Sequence, residues 1–203
     1  LALNRLLNKT LKFIFLIIPF SVLFIVLSHE IVTILFQRGK FDADATLLTA
    51  KILPFFMVGA FAFSAQNIVS RGYYAIQNTI FPAIYTSICV IISIPFIFLL
   101  MKLLGPSGVA LGLSISVILQ AIVLFECWNK KSLNSGKNEV YFFFLKMIPI
   151  SLTIGLIIFI TALTLRSFID TTNFSGSLII TGIVGIEFLL LFFLTGVVFK
   201  VSE

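Results

Sequence analysis

Six long apolar blocks dominate this chain of 203 residues and decide what it can fold into. Each block reaches or exceeds the roughly 20 residues that a helix needs to cross about 30 Å of hydrocarbon. We place the spans at residues 11–36, 47–70, 81–104, 109–128, 141–165 and 177–199. None of them alternates apolar with polar residues, as membrane-crossing strands would, so all six are predicted to be helices. The predicted fold class is therefore all-α, a polytopic transmembrane helix bundle with six spans.

The composition agrees with a membrane protein and argues against a soluble one. Hydrophobic residues make up 60% of the chain and charged residues only 11%, whereas about a quarter of a soluble domain is charged. The net charge of +6 could suggest nucleic acid, but Lys and Arg lie in short connectors rather than on one face. Positive-inside topology and contact with anionic head groups explain this excess better. We predict membrane lipids as partners and no nucleic acid.

The distribution of Lys and Arg predicts the orientation of the spans. Six spans place both termini on one side, and the basic residues divide nine against five between the two sides. The nine are Arg5, Lys9, Lys12, Arg71, Lys130, Lys131, Lys137, Lys146 and Lys200, and the five are Arg38, Lys40, Lys51, Lys102 and Arg166. Because cytoplasmic loops carry the excess of Lys and Arg, both termini are predicted to be cytoplasmic. The basic connector 129–139 predicts a boundary between four helices in 1–130 and a further hairpin in 131–203.

The second span carries the candidate binding residues. Ala60, Ser64, Asn67 and Arg71 follow one another at spacings of four, three and four, which places them on one helix face. Amides inside a span must bond another helix or water, because unpaired amides in hydrocarbon cost several kcal/mol. An interhelical clamp and the lining of a wet cavity therefore both remain open. Arg71 favours the cavity slightly, so Ser64, Asn67 and Arg71 are the candidate substrate-binding residues.

Glu187 is the only ionisable residue near the middle of a span. Such residues usually face the protein interior or water and mark functional sites, although a protonated carboxyl bonded to Thr or to backbone is the alternative. His29 is the sole histidine and stands beside Glu30, so no metal-binding motif is present, and no catalytic motif was found. We expect no metal, no cofactor, no catalytic residues and no enzymatic activity. Cys89 and Cys127 are expected to be buried thiols.

Small residues recur at helical spacing in the last three spans and predict close helix contacts. These rows are Gly108, Gly112, Ser116 and Gln120 in the fourth span, Ser151 and Gly155 in the fifth, and Ser177, Thr181 and Gly185 in the sixth.

Three segments together resemble the MurJ/MviN lipid II flippase family of the multidrug/oligosaccharidyl-lipid/polysaccharide exporter superfamily. The segment 35–41 (LFQRGKF) is similar to that family's LFxRGxF, and 71–82 (RGYYAIQNTIFP) to its RxFYAxx[DN]TxxP. The segment 105–114 (GPSGVALGLS) is similar to its GxxGLALxxS turn and helix. The matching motif residues are Phe36, Arg38, Gly39, Phe41, Tyr74, Ala75, Thr79, Pro82, Gly105 and Gly108. Order and spacing agree over about residues 10–130, and three motifs in register are more specific than any one of them.

The resemblance implies a function and a place in a larger architecture. The chain would be a fragment, the last six of fourteen helices of a two-lobe transporter in the bacterial cytoplasmic membrane, and its partner could be the missing N-terminal part. The implied function is flipping of lipid-linked peptidoglycan precursor, a polyprenyl-diphosphate-linked glycan lipid, by alternating access. The last two spans would accommodate the lipid tail along Phe142, Phe143, Phe144, Phe159, Phe188, Phe192 and Phe193, although plain lipid-facing bulk is the better explanation of each residue taken singly.

Other functions remain open at this stage. A flippase for another polyprenyl-linked polysaccharide and a drug/cation antiporter share the two-lobe plan, and the extra C-terminal hairpin favours the lipid II branch over both. A membrane scaffold without transport activity is the alternative from a different class.

Overall fold

The structure, a computed structural model, describes residues 2–198, with side chains up to Thr195, and is helical throughout apart from short connections. Its helices are α1 (Ala2–Ile14), α2 (Ile17–Val26), α3 (Ser28–Phe36), α4 (Ala43–Ala75), α5 (Ile80–Leu104), α6 (Pro106–Ser132), α7 (Lys137–Phe168) and α8 (Phe174–Val198). Within the described residues, six helical stretches are long and apolar enough to cross a membrane. The predicted all-α fold with six spans is therefore confirmed.

The first span differs from its prediction. Residues 11–36 were expected to form one helix, but α1, α2 and α3 divide this region, and the stretch suited to crossing a membrane is Ala2–Val26. The break between α1 and α2 lies at Phe15 and Leu16. Pro19 follows Phe15 by four residues, and a proline ring clashes with the carbonyl four residues before it. The proline therefore accounts for the break.

The connectors are shorter than hydropathy predicted. α4 continues to Ala75, so Arg71 lies within a helix and not in a connector, and the basic connector expected at 129–139 contains only residues 133–136. Hydropathy detects the part of a helix that suits hydrocarbon, whereas a helix continues into water until its last carbonyls are capped.

Two of these helices end in the same backbone motif. At the end of α4 the Asn78 amide donates to the Tyr73 carbonyl (3.0 Å) and the Gln77 amide to the Tyr74 carbonyl (2.9 Å). This is a Schellman motif, in which one residue takes a left-handed conformation. That residue is Gln77, with φ of 57°, and Leu133 takes the same role after α6 with φ of 49°. Both positions favour glycine, so the local sequence alone does not indicate these turns.

The chain divides into two compact units. Unit 1 contains Leu1–Ile17 and Phe55–Met147, and unit 2 contains Ile18–Pro54 and Ile148–Glu203. Each of the three points where the chain passes between units lies within two residues of a proline: Pro19, Pro54 or Pro149. The predicted boundary at residue 130 separates four membrane helices from a further hairpin, which is a different division from the one into compact units. It stays a prediction.

Unit 1 is built on close contact between α5 and α6. A Cβ added at Gly108 would lie 1.9 Å from the Leu100 carbonyl oxygen, and one at Gly112 would lie 3.1 Å from Ile97. α4 approaches α6 in the same way, because a Cβ at Gly59 would lie 2.7 Å from the Ser114 hydroxyl. The contact face predicted for the fourth span is confirmed. The rest of α5 exposes Ile, Leu and Phe side chains, as a helix in contact with lipid would.

Unit 2 packs α7 and α8 around an apolar core. Ile158 and Ala162 of α7 and Ile180, Val184 and Phe188 of α8 are all fully buried.

The predicted small-residue rows of these two helices have different outcomes. Ser151 and Ser177 are buried, and a Cβ on Gly155 would lie 2.4 Å from Val22, as expected for contact faces. Gly185 has no neighbour within 4 Å of its Cβ position, so that part of the row prediction is wrong.

Candidate functional site

The predicted binding row lies on α4 and points away from its helix neighbours. Asn67 and Arg71 are exposed and Ser64 is half-buried. The Ser64 hydroxyl donates to the Ala60 carbonyl (3.3 Å), and the Asn67 amide donates to the Phe63 carbonyl (2.9 Å). Both acceptors lie four residues earlier on the same helix. Asn67 therefore does not form an interhelical clamp, and its amide group lies at the surface of unit 1.

The clamp between helices is formed by the neighbouring amide. Gln66 donates from Nε2 to Oε1 of Gln120 at 3.2 Å and so joins α4 to α6. The sequence showed that an amide pair in this span needs partners, but it did not show which amide faces the other helix. Consecutive residues on a helix point in directions about 100° apart, so only one of the two can face α6.

Arg71 lies on a helix end that is held firmly. The next residue, Gly72, is packed so tightly that a Cβ would lie 2.6 Å from Leu7. Tyr73 is buried against Trp128, with ring centroids 5.1 Å apart, and Trp128 donates from Nε1 to Asn4 Oδ1 at 3.1 Å. The Arg71 side chain itself makes no hydrogen bond or ion pair to any of residues 2–198. The backbone at Arg71 is therefore held in place by its neighbours, and the exposed guanidinium is free to bind an anion.

The three motif segments form the turns that connect the helices. In the first, Phe36 and Phe41 approach to 6.0 Å between ring centroids, Arg38 donates to the Leu35 carbonyl, and Gly39 has φ of 61°. Asp42 then accepts from the Ala45 amide at 2.9 Å, as expected for an acid at the start of the next helix.

The other two motif segments have equally structural roles. Tyr74 and Ala75 are the last residues of α4, and Thr79 directly precedes α5. Pro82 lies in the first turn of α5, where a helix has no use for its amide hydrogen. Gly105 has φ of 61° and separates α5 from α6, and Gly108 allows the close approach to Leu100. The motif residues thus shape the ends of helices.

Glu187 lies near the middle of α8 and faces α7. The Thr161 hydroxyl donates to its Oε1 at 3.0 Å, and its Oε2 is buried without a partner among residues 2–198. The contact with Thr that the sequence allowed is therefore present, and a functional role for Glu187 stays a prediction.

A second buried carboxylate was missed in the sequence. Glu30 of α3 has no exposed surface, and its two oxygens accept from Nε and Nη2 of Arg166 at 2.7 and 2.8 Å. Arg166 also donates from Nη2 to the Val26 carbonyl at 2.8 Å. The predicted span 141–165 ends before Arg166, whereas the structure places Arg166 in the last turn of α7. The available signal was an acid inside an apolar block, which needs a cation from another span.

The phenylalanines predicted to contact the lipid tail differ in exposure within each unit. Phe142 and Phe193 are exposed, at 71% and 73%, whereas Phe188 is fully buried against Phe20. Phe144 belongs to an aromatic cluster in unit 1 with Phe15. Among residues 2–198 no group of His, Cys, Asp and Glu is placed to hold a metal ion.

These features define a multi-pass helical membrane protein with an exposed arginine on α4, one carboxylate inside a span and a second carboxylate buried in α3. The family model described as "Lipid II flippase MurJ" matches residues 2–180. The chain therefore belongs to the MurJ family of lipid II flippases, which are transporters and not enzymes. This confirms the family that the three motifs indicated.

Individual relatives agree with the family match. "Probable lipid II flippase MurJ" of Rhizobium tropici is 34% identical over 119 residues, which are 58% of this chain and 22% of that protein. "Lipid II flippase MurJ" of Thermosipho africanus is 35% identical over 122 residues, which are 60% of this chain and 26% of that protein. The solved structure of "Lipid II flippase MurJ, inward closed conformation" superposes with a TM-score of 0.74 at 29% identity, covering 98% of this chain and 39% of that one. The chain spans about a quarter of the length of these curated relatives.

Proposed function

We propose that this chain takes part in flipping lipid II, the lipid-linked peptidoglycan precursor, across the bacterial cytoplasmic membrane. The observation that carries the proposal is the family match over residues 2–180, supported by the structural similarity over 98% of the chain. Lipid II combines a polyprenyl tail with a diphosphate and a glycan. A transporter for it needs a cationic contact for the diphosphate and an apolar surface beside it for the tail.

Arg71 is the residue that we assign to the diphosphate. It is exposed, it makes no ion pair among residues 2–198, and the packing of Gly72 and Tyr73 fixes its helix end. A second cation, Lys131, lies with its Nζ 5.7 Å from the ring centroid of Tyr73, which lies two residues after Arg71 on α4. Ser64 and Asn67 continue the same face of α4 and would offer a hydroxyl and an amide to the head group. The exposed ring of Phe142, which belongs to the same unit as Arg71, suits contact with the tail.

The test uses the complete gene product in cells depleted of their own flippase, with lipid II translocation measured directly. Arg71→Gln should lower translocation at normal abundance, because the charge that meets the diphosphate is gone. Arg71→Lys should restore it only in part, because lysine lacks the planar fork of donors that binds two phosphate oxygens.

Two controls accompany these variants. Lys9→Gln removes another exposed cation of unit 1 and should leave translocation unchanged. Gln66→Leu breaks the clamp to Gln120 and should lower thermal stability in detergent instead. Normal translocation by Arg71→Gln at normal abundance would contradict the role of Arg71. Translocation of a different polyprenyl-linked glycan, with lipid II left behind, would contradict the substrate.

We also propose that both termini are cytoplasmic, on the basis of the division of Lys and Arg between the two sides. The test is labelling of single cysteines from outside the cell in a protein without Cys89 and Cys127. Asp42→Cys should be labelled and Ser135→Cys should not. Ser135 suits this purpose because it is exposed, whereas its neighbour Asn134 is buried and bonded to Asn8. The reverse labelling pattern would invert the orientation.

A further inference from the structure

Unit 2 contains a cavity of about 420 Å³ beside the buried ion pair. Its polar lining consists of Ser28, His29 and Glu30 from α3, Arg166 from α7 and Thr171 from the connection that follows α7. Neither the family motifs nor the row on α4 includes any of these residues.

The polar lining offers free hydrogen-bond donors, whereas its one carboxylate is already engaged. Both carboxylate oxygens of Glu30 are already engaged by Arg166. Arg166 uses Nε and Nη2, so Nη1 has no partner among the residues described. The side chains of Ser28, His29 and Thr171 likewise make no hydrogen bond within residues 2–198. Arg166 Nη1 can only donate and the Ser28 and Thr171 hydroxyls and the His29 ring can each donate as well, so a ligand rich in acceptor oxygens suits this lining.

The other walls of the cavity are apolar. They are formed by Ile25, Val26 and Phe159, and the ring of Phe159 is 44% exposed. Arg166 lies two residues before Phe168, where α7 ends, and Thr171 lies beyond that end. The cavity is therefore at the end of a span, the level at which a bilayer changes from hydrocarbon to head groups. One side of the cavity carries hydrogen-bond donors and the other is apolar, which suits an amphiphilic ligand.

We propose that this cavity binds the phosphate head of a membrane phospholipid, whose acyl chain lies along Ile25 and Phe159. The phosphate oxygens accept from Arg166 Nη1, from the His29 ring and from the hydroxyls of Ser28 and Thr171. The Glu30–Arg166 pair holds the guanidinium in place, so that Nη1 is presented without the cost of ordering a free side chain. The site is independent of Arg71, because all of its residues belong to unit 2.

The experiment is a titration of the complete gene product in detergent with three probes. Dihexanoylphosphatidylglycerol carries both phosphate and acyl chains, inorganic phosphate carries only the first, and dihexanoylglycerol carries only the second. The phospholipid should bind, and each of the other two should bind at least about tenfold more weakly. Equal binding of dihexanoylglycerol would show a merely apolar cavity, and equal binding of inorganic phosphate would show a site for the free anion. Either result overturns the proposal.

Two variants assign the binding to this cavity. Thr171→Val removes one donor at constant volume, and His29→Leu removes another and adds apolar bulk. Each should weaken phospholipid binding about tenfold, as expected for the loss of a hydrogen bond to a charged group. Thr164→Val is the matched control, because Thr164 is exposed on α7, does not line the cavity and bonds only the Thr161 carbonyl. Thr171 follows the end of α7, so its variant stays informative if His29→Leu fails to fold. Unchanged affinity in Thr171→Val, with thermal stability equal to that of the parent, overturns the proposal.

Discussion

Unit 2 places two carboxylates inside apolar surroundings and gives them different partners. Glu30 is fully buried and meets the guanidinium of Arg166 with both oxygens, whereas Glu187 meets only the hydroxyl of Thr161. The difference follows from depth. Arg166 lies in the last turn of its helix, where a long cationic side chain can still reach water, and 29% of its side chain remains exposed. A cation opposite Glu187 would have to be buried near the middle of a span, which costs several kcal/mol.

The comparison shows how each carboxylate contributes to stability. Removing one member of a buried ion pair leaves the other uncompensated, so the cost exceeds the net worth of the pair. Removing the Thr161 hydroxyl takes away one hydrogen bond and no opposite charge, so its cost is smaller.

Arg166→Leu should have the largest effect, a loss of about 3–5 kcal/mol in the free energy of unfolding. Glu30 would be left charged and buried, and the Val26 carbonyl would lose its donor. Denaturant unfolding in detergent measures the loss. The double variant with Glu30→Leu removes both charges and should recover most of it. A double variant that is as unstable as Arg166→Leu would show that packing, and not charge, makes this position important.

Arg166→Lys keeps the positive charge but replaces the planar guanidinium, whose donors bond both Glu30 oxygens, with an ammonium group. We expect a loss of about 1.5–3 kcal/mol, because an ammonium group cannot bond both Glu30 oxygens and the Val26 carbonyl in the same geometry. The same unfolding measurement applies. Stability equal to that of the parent would mean that only the charge of Arg166 is needed.

Thr161→Val should cost only about 0.6 kcal/mol, the usual size of a polar contact between membrane helices. Glu187→Gln should cost less still, because the glutamine Oε1 can accept from Thr161 as the carboxyl does. The two variants are compared with the parent by thermal unfolding. A cost for either one as large as that of Arg166→Leu would remove the distinction between the two carboxylates.

Asp170 is an exposed carboxylate, in contrast to Glu30 and Glu187, and replacing it should have the smallest effect on stability. The Thr172 amide and hydroxyl donate to it and hold its pKa below the ordinary value. The charged form is therefore favoured in the folded loop. This contribution is present above the ordinary pKa and is lost as the pH falls through the lowered one. The chemical shift of the Thr172 amide should follow this titration, and Asp170→Asn should abolish the response. A titration at or above the ordinary pKa would contradict the hydrogen bonds of this loop.

The spans were predictable because apolar length is a local property. The third predicted span, 81–104, agrees with α5 at Ile80–Leu104 to within one residue. Helix ends were predicted less well, since polar residues such as Arg71 continue a helix beyond the apolar block. The break before α2 could have been found from Pro19, whose effect reaches back to Phe15.

For the candidate site, the sequence predicted which residues share one face of a helix, but not what that face contacts. Spacing correctly placed Ser64, Asn67 and Arg71 together, because residues three and four apart share a face. It did not show whether that face meets another helix or lies open, and Gln66 proved to be the clamp. Which direction a face points depends on the helices packed against it, and these come from distant parts of the chain.

The sequence by itself determined the number of spans, the class of protein and the family, because hydropathy and short motifs are written in consecutive residues. Only the tertiary structure decided that Glu30 meets Arg166, 136 residues further along the chain, that Glu187 meets Thr161, and that a cavity rich in donors lies beside the ion pair. The physical reason is that a charge in hydrocarbon requires a partner, but any of several side chains could supply it. The choice is made by which helices pack together and at what depth.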